Sequence, residues 1–161
     1  MPANVKVQYV DRWEPVENIA LFPKLGDASN FPQPDIIANL DDDRLSAIPD
    51  RRSQDFVIAS HILKHLANPL AMLCDIFRVL RPGGLLLPLL PDRRRTFDSQ
   101  RAPTPLAHLV AELNQDVRRV DDAHILDFMV GTREAIGDAI PVCTPHRTWP
   151  QRSRRTAARF A

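Results

Sequence analysis

The chain has 161 residues, 44% of them apolar and 25% charged, and a net charge of +1. That is enough for one domain with a sizeable core, and the near-neutral balance points to no polyanionic or polycationic partner. No apolar run approaches the roughly 20 residues needed to span a bilayer, and the opening MPANVKVQYV lacks the pattern of a signal peptide. Cys74 and Cys143 stand far apart without any Cys-x-x-Cys. The expectation is a cytoplasmic protein without membrane contact, disulfides or a metal site, in which Cys74 is buried as a small hydrophobe. Proline is abundant at 15 residues, whereas glycine is limited to Gly26, Gly83, Gly84, Gly131 and Gly137.

From the start of the chain, Val5, Val7, Tyr9 and Val10 alternate with Lys6 and Gln8 and predict a strand ending at Asp11. An acid just past a strand in an α/β fold either binds the hydroxyls of a ribose or remains a solvated cap for the next helix. Pro15 opens a predicted short helix over residues 14–25, with Val16, Ile19, Ala20 and Phe22 on one side and Gly26 at its end. Ile36, Ile37 and Ala38 predict another short strand. The acids Asp41, Asp42 and Asp43 that follow read as a solvated loop.

Phe56, Val57, Ile58 and Ala59 have the composition of a strand covered on both faces. Ser60 and His61 stand at its carboxyl end, the edge at which open parallel sheets bind ligands. His65 is read as a hydrogen-bonded structural histidine in preference to a catalytic base. Pro69 suits the first turn of a helix whose apolar face is Leu70, Leu73, Ile76, Phe77 and Leu80, with Pro82, Gly83 and Gly84 as its stop. Leu85, Leu86, Leu87, Leu89 and Leu90 predict a second strand, placed at a sheet edge by Pro88. Two apolar strands joined by an amphipathic helix form a right-handed βαβ unit with parallel strands.

Arg93, Arg94 and Arg95, read as free of an acidic neighbour, either attract an anionic substrate or form a solvated loop. Thr104 and Pro105 open an amphipathic helix carrying Leu106, Leu109, Val110, Leu113, Val117 and Val120. A second helical patch, Ile125, Leu126, Phe128 and Met129, ends near Gly131. Residues 141–161 lose all periodicity and hold five arginines and three prolines, the composition of a disordered tail. Without interleaved aromatics, that tail does not read as a nucleic-acid interface.

The run DFVIASHILKHL, followed by RVLRPGG and a leucine-rich strand, resembles the second half of a class I S-adenosylmethionine-dependent methyltransferase. It is most similar to the small methyltransferase domains called type 11. The resemblance spans about residues 5–113. It implies an α/β, three-layer Rossmann-like fold, truncated, with a mostly parallel sheet of about four strands and helices on both faces. Residues 1–140 are then a partial methyltransferase-like domain, and 141–161 the basic tail. The implied activity is methyl transfer from S-adenosylmethionine to a small-molecule acceptor.

In YVDR, Asp11 falls where the family places the acid that holds the cofactor ribose. Asp41, Asp42, Asp43, Arg44 and Leu45 match in order the family's acidic pattern beside the adenine, which assigns Asp41 or Asp43 to that side. Ser60 and His61 would lie under the methionine portion. Pro91 and Asp92 begin a family pattern near the approaching substrate, whereas Lys64 stands where the family has an acid. The resemblance names no catalytic base.

One part of the family pattern is missing. The cofactor is gripped chiefly by a glycine-rich loop after the family's first strand, where the backbone must turn tightly against the ligand. No two of the five glycines make Gly-x-Gly, and the chain enters at the family's second strand. Cofactor binding is therefore expected to be impaired, and the strands at Val5 and Ile36 have no obvious partner in those at Phe56 and Leu85. The alternative is a non-catalytic remnant or interaction subunit, completing its sheet against a protein partner or a second copy.

Overall fold

In a computed structural model of the chain, residues 5–136 are described except 23, 25, 28, 30, 47, 49, 50, 97, 98 and 100, with backbone alone for 131–136. The tail expected over 141–161 and Cys143 lie outside these residues. The first parallel pair is β1 (Val10–Asp11) against β2 (Ile36–Ile37), with Val10 opposite Ile36. Tyr9 extends this ladder: its carbonyl accepts from the N–H groups of Asp35 and Ile36 at 2.9 and 3.1 Å. Its own N–H donates to the Asp35 carboxylate at 2.8 Å. The strand expected from Val5 is thus realised only at its last residues.

Between these strands runs α1 (Pro15–Leu21), opened by Pro15 and by Glu17, whose carboxylate accepts the Glu14 N–H at 3.1 Å. It ends sooner than periodicity suggests. Phe22 precedes a proline, which disfavours helical backbone there, and its φ of −130° has already left the helix.

The second pair carries the core. β3 (Gln54–Ser60) and β4 (Leu80–Leu89) are parallel, with Phe56 opposite Leu85 and Ser60 opposite Leu89, and are joined through α2 (Pro69–Val79). The helix stops at Val79, before the RPGG turn expected to stop it. Gln54 pairs with Leu80 but Phe56 with Leu85, so residues 81–84 form a bulge inside β4. Glycine is required there. Gly83 has φ +80°, and a Cβ on Gly84 would lie 2.9 Å from the Arg81 carbonyl and 3.2 Å from that of Asp55. Pro88 sits opposite Ala59 on a strand paired with β3 alone among the described residues, as an edge proline should.

The architecture is therefore α/β with parallel strands, as the resemblance implies, but the described strands fall into two sheets of two strands each. Helix α2 lies on the Val57, Ala59 and Leu86 face, where Met72, Ile76 and Val79 pack with Leu45, Leu63 and Leu80. The opposite face is open among the described residues: Ile58, Leu85 and Leu87 are 57%, 70% and 52% exposed. Strands expected to be covered on both faces are covered on one. Cys74 is exposed, contrary to the expected burial, and so is Phe77. Both lie on the side of α2 turned away from the Met72, Ile76 and Val79 core.

Two further helices follow, α3 (Leu106–Asn114) and α4 (Asp122–Ile136). The first is shorter than its apolar spacing predicts. Asp116 turns left-handed at φ 50°, and Val117 closes back on the Glu112 carbonyl at 3.1 Å, so Val117 and Val120 fall outside the helix. The second runs past Gly131, the expected end. No helix among the described residues is long and apolar enough to cross a membrane.

Candidate functional site

Parallel strands bring their carboxyl ends to a common edge, and the candidate residues lie in the loops there. Asp11 ends β1. Its Oδ1 turns back to accept the N–H groups of Arg12 and Trp13 at 2.6 and 3.2 Å, shaping the turn into α1. Its Oδ2 is 3.5 Å from the Asn18 amide and open to solvent. Around it Tyr9, Pro15, Phe31 and Pro34 line a cleft of about 150 Å³, short of the ~300–1,000 Å³ typical of small-molecule sites. That oxygen takes only the long Asn18 contact, and the cleft does not enclose a nucleoside.

The loop after β2 is built by its own side chains. Asp43 Oδ2 accepts the Asn39 N–H at 2.9 Å, and the Asn39 amide donates to Asp42 Oδ2 at 2.7 Å. Asp41 reaches outward: its Oδ1 accepts the N–H of buried Ala67 at 2.8 Å. That bond ties the loop after β2 to the loop after β3, while Leu40 and Leu45 pack into the α2–β3 core. The two sheets thus meet through these loops without sharing a strand.

Ser60 ends β3 in an exposed position. His61 follows with a left-handed φ of 55°, held by its N–H on the Leu89 carbonyl at 2.8 Å. A non-glycine residue in that region is strained, and such strain collects at functional turns. His65 belongs to a 3-10 turn, Leu63–His65. Its ring is exposed and has no hydrogen-bond partner among the described residues, so the structural bond expected for it is not formed. Partial desolvation, then the charges of Lys64 and His61, lower its pKa below the ordinary histidine value.

Past β4, Arg93–Arg95 form a second 3-10 turn. Arg94 is not free of an acid: Asp92 pairs with it at 2.9 Å, and its guanidinium lowers the Asp92 pKa. A wider, open cleft of about 430 Å³ holds Arg44, Arg51, Arg78 and Arg118 with Asp43 and Asp75. Three of its arginines serve the fold. Arg78 donates to the Leu45 and Ile48 carbonyls at 2.8 and 3.3 Å, and Arg44 and Arg118 both pair with Asp116.

The structure therefore gathers Asp41, Asp43, Ser60 and His61 on the loops of one edge, with Asp11 at the end of the neighbouring strand pair. It also assembles His108, Glu112 and His124, which sequence spacing did not join. The only available signal was the four-residue step from His108 to Glu112, because His124 comes from another helix.

The family model described as a methyltransferase domain matches residues 19–87. The match runs from within α1 to within β4, so it takes in Asp41, Asp43, Ser60 and His61 and leaves Asp11 outside. No curated protein and no solved structure matches the chain. Residues 19–87 are thus similar to a methyltransferase domain, which supports a class I S-adenosylmethionine-dependent methyltransferase-like domain there, and the described helices and parallel strands of that stretch are α/β as such a domain implies.

Proposed function

We propose that the chain binds S-adenosylmethionine along the edge formed by the loops after β1, β2 and β3, and belongs to an enzyme that methylates a small acceptor. Asp11 holds the ribose through its exposed Oδ2, Asp41 or Asp43 takes the adenine side, and Ser60 and His61 support the methionine portion. When bound, the cofactor supplies a sulfonium-activated methyl group, so the protein's task is mainly to align the acceptor. The observation that carries this reading is the Asp41–Ala67 hydrogen bond, which brings two ligand loops of the matched domain to one edge.

The grip is impaired in this chain, because no glycine pair forms a Gly-x-Gly cradle and the Asp11 cleft is small. Calorimetric titration of S-adenosylmethionine into the folded chain tests the proposal. Heat corresponding to micromolar affinity, about −8 kcal/mol, that disappears in Asp11→Ala supports it. No heat from a folded chain favours the second reading, a non-catalytic subunit with a methyltransferase-like fold. The open apolar face of β3 and β4 recommends that reading, since a partner would cover Ile58, Leu85 and Leu87.

A further inference from the structure

Helices α3 and α4 bring three donor atoms to one point. His108 and Glu112 are four residues apart on α3 and share a face, and His124 enters from the first turn of α4. The His124 Nε2 lies 2.7 Å from Glu112 Oε1, the His108 Nε2 lies 3.0 Å from the same oxygen, and the two nitrogens are 3.1 Å apart. The Glu112 side chain is 8% exposed, against 31% for His124 and 47% for His108. An acid is thus buried at the base of the cluster, with two imidazoles at its rim facing solvent. Glu112 is the one buried residue of α3, an odd use of a carboxylate unless something positive meets it.

The shared oxygen is an acceptor, so a hydrogen on each facing nitrogen satisfies both contacts to it but leaves the 3.1 Å contact between the two nitrogens without a hydrogen of its own. Taking the hydrogen from one nitrogen lets it accept across that contact but turns its lone pair toward the carboxylate. A single cation resolves all three contacts, because each atom then offers it a lone pair. A triangle of these sides has a circumradius below the ~2.0–2.1 Å of a zinc–imidazole bond, so one ion touches all three atoms from just off their plane.

Asp121 completes the arrangement. Its Oδ1 lies 2.5 Å from His124 Nδ1 and accepts the His124 backbone N–H at 2.9 Å. A carboxylate on Nδ1 fixes the proton there and turns Nε2 toward the cluster as a lone pair, the usual support of a metal-binding histidine. The carboxylates of Asp121 and Glu112 also raise the His124 pKa, which makes a proton on Nε2 the competitor for the site.

We propose that His108, Glu112 and His124 bind a divalent transition metal of the zinc type, with Asp121 as a positioning residue and a fourth coordination position open to solvent. Two imidazoles and one carboxylate are a zinc donor set, and histidine with carboxylate disfavours the hard ions that prefer all-oxygen sites. The ion fastens α4 to α3, which otherwise touch little among the described residues.

The test uses the full chain, free of any histidine tag and stripped with a chelator. Zinc titrated calorimetrically should bind at one equivalent, and cobalt in its place should give visible d–d bands. Asp121→Asn, at an exposed position, should weaken zinc binding about 10- to 100-fold, and His108→Ala or His124→Ala by more. His65→Ala and Cys74→Ser, which remove another imidazole and the exposed thiol, should leave it unchanged. The proposal is overturned by no uptake, by equal uptake in all variants, or by zinc failing to shift the His124 ring resonances in NMR.

Discussion

Asp41 stands in a run of three acids, any of which has the chemistry to hold an adenine amino group, yet one of its oxygens is occupied by the Ala67 N–H. A carboxylate with two oxygens can do both: one oxygen fixes the loop and the other faces a ligand. The fixing role is measurable without any ligand. Asp41→Ala strands the buried Ala67 N–H and should destabilise the fold by about 1–3 kcal/mol in urea unfolding. Asp41→Asn retains a carbonyl acceptor and should recover most of that loss. Equal losses in both variants would mean that charge, not the hydrogen bond, holds the two loops together. Asp11 shows a similar division, with Oδ1 in the turn and Oδ2 taking only a long bond from the Asn18 amide.

At the scale of elements, α2 is the hub, and Asn68 explains why. It is 6% exposed, its Oδ1 caps the helix on the Ala71 N–H at 2.9 Å, and its amide donates to the Glu112 carbonyl at 2.8 Å. One side chain therefore starts α2 and docks α3 on it. Asn68→Ala removes both functions and should cost more than the about 1 kcal/mol of an ordinary cap. Asn68→Ser keeps a capping oxygen but cannot reach as an amide donor, and should fall between the two. If serine matched the wild-type midpoint, the bond to α3 would contribute nothing. The bulge at residues 81–84 is an element-scale feature of another kind. Proline and two glycines signalled an interruption after the helix, and the strand absorbed it because Gly84 allows close approach to the Asp55 carbonyl.

At the scale of the whole fold, one face of the β3–β4 pair is uncovered among the described residues. Leu87 is 52% exposed on that face and Leu85 70%. Leu87→Lys should therefore leave unfolding stability within about 0.5 kcal/mol, while reducing self-association in sedimentation at high protein concentration. A large loss of stability would show that the face is covered in solution, and would direct attention to what covers it.

Local chemistry made much of this legible in the sequence. Apolar spacing placed α2, prolines at first turns placed the starts of α1 and α2, and the SHILKHL and RVLRPGG runs carried the family resemblance now matched over residues 19–87. Each of these depends on neighbours within a few positions. What depended on distant neighbours was not legible. The sequence shows that Cys74 and Phe77 adjoin an apolar stripe, but their exposure follows from which side of α2 packs on β3 and β4. It shows that Glu112 is charged, but its burial follows from the docking of α3 on Asn68. His108 and His124 meet because the left-handed turn at Asp116 ends α3 early and sends the chain back past it. The sequence by itself determined the elements and their kinship, through contacts of a turn or less. Only the tertiary structure decided which faces are covered and which ionisable groups share one point, because those depend on how the elements pack.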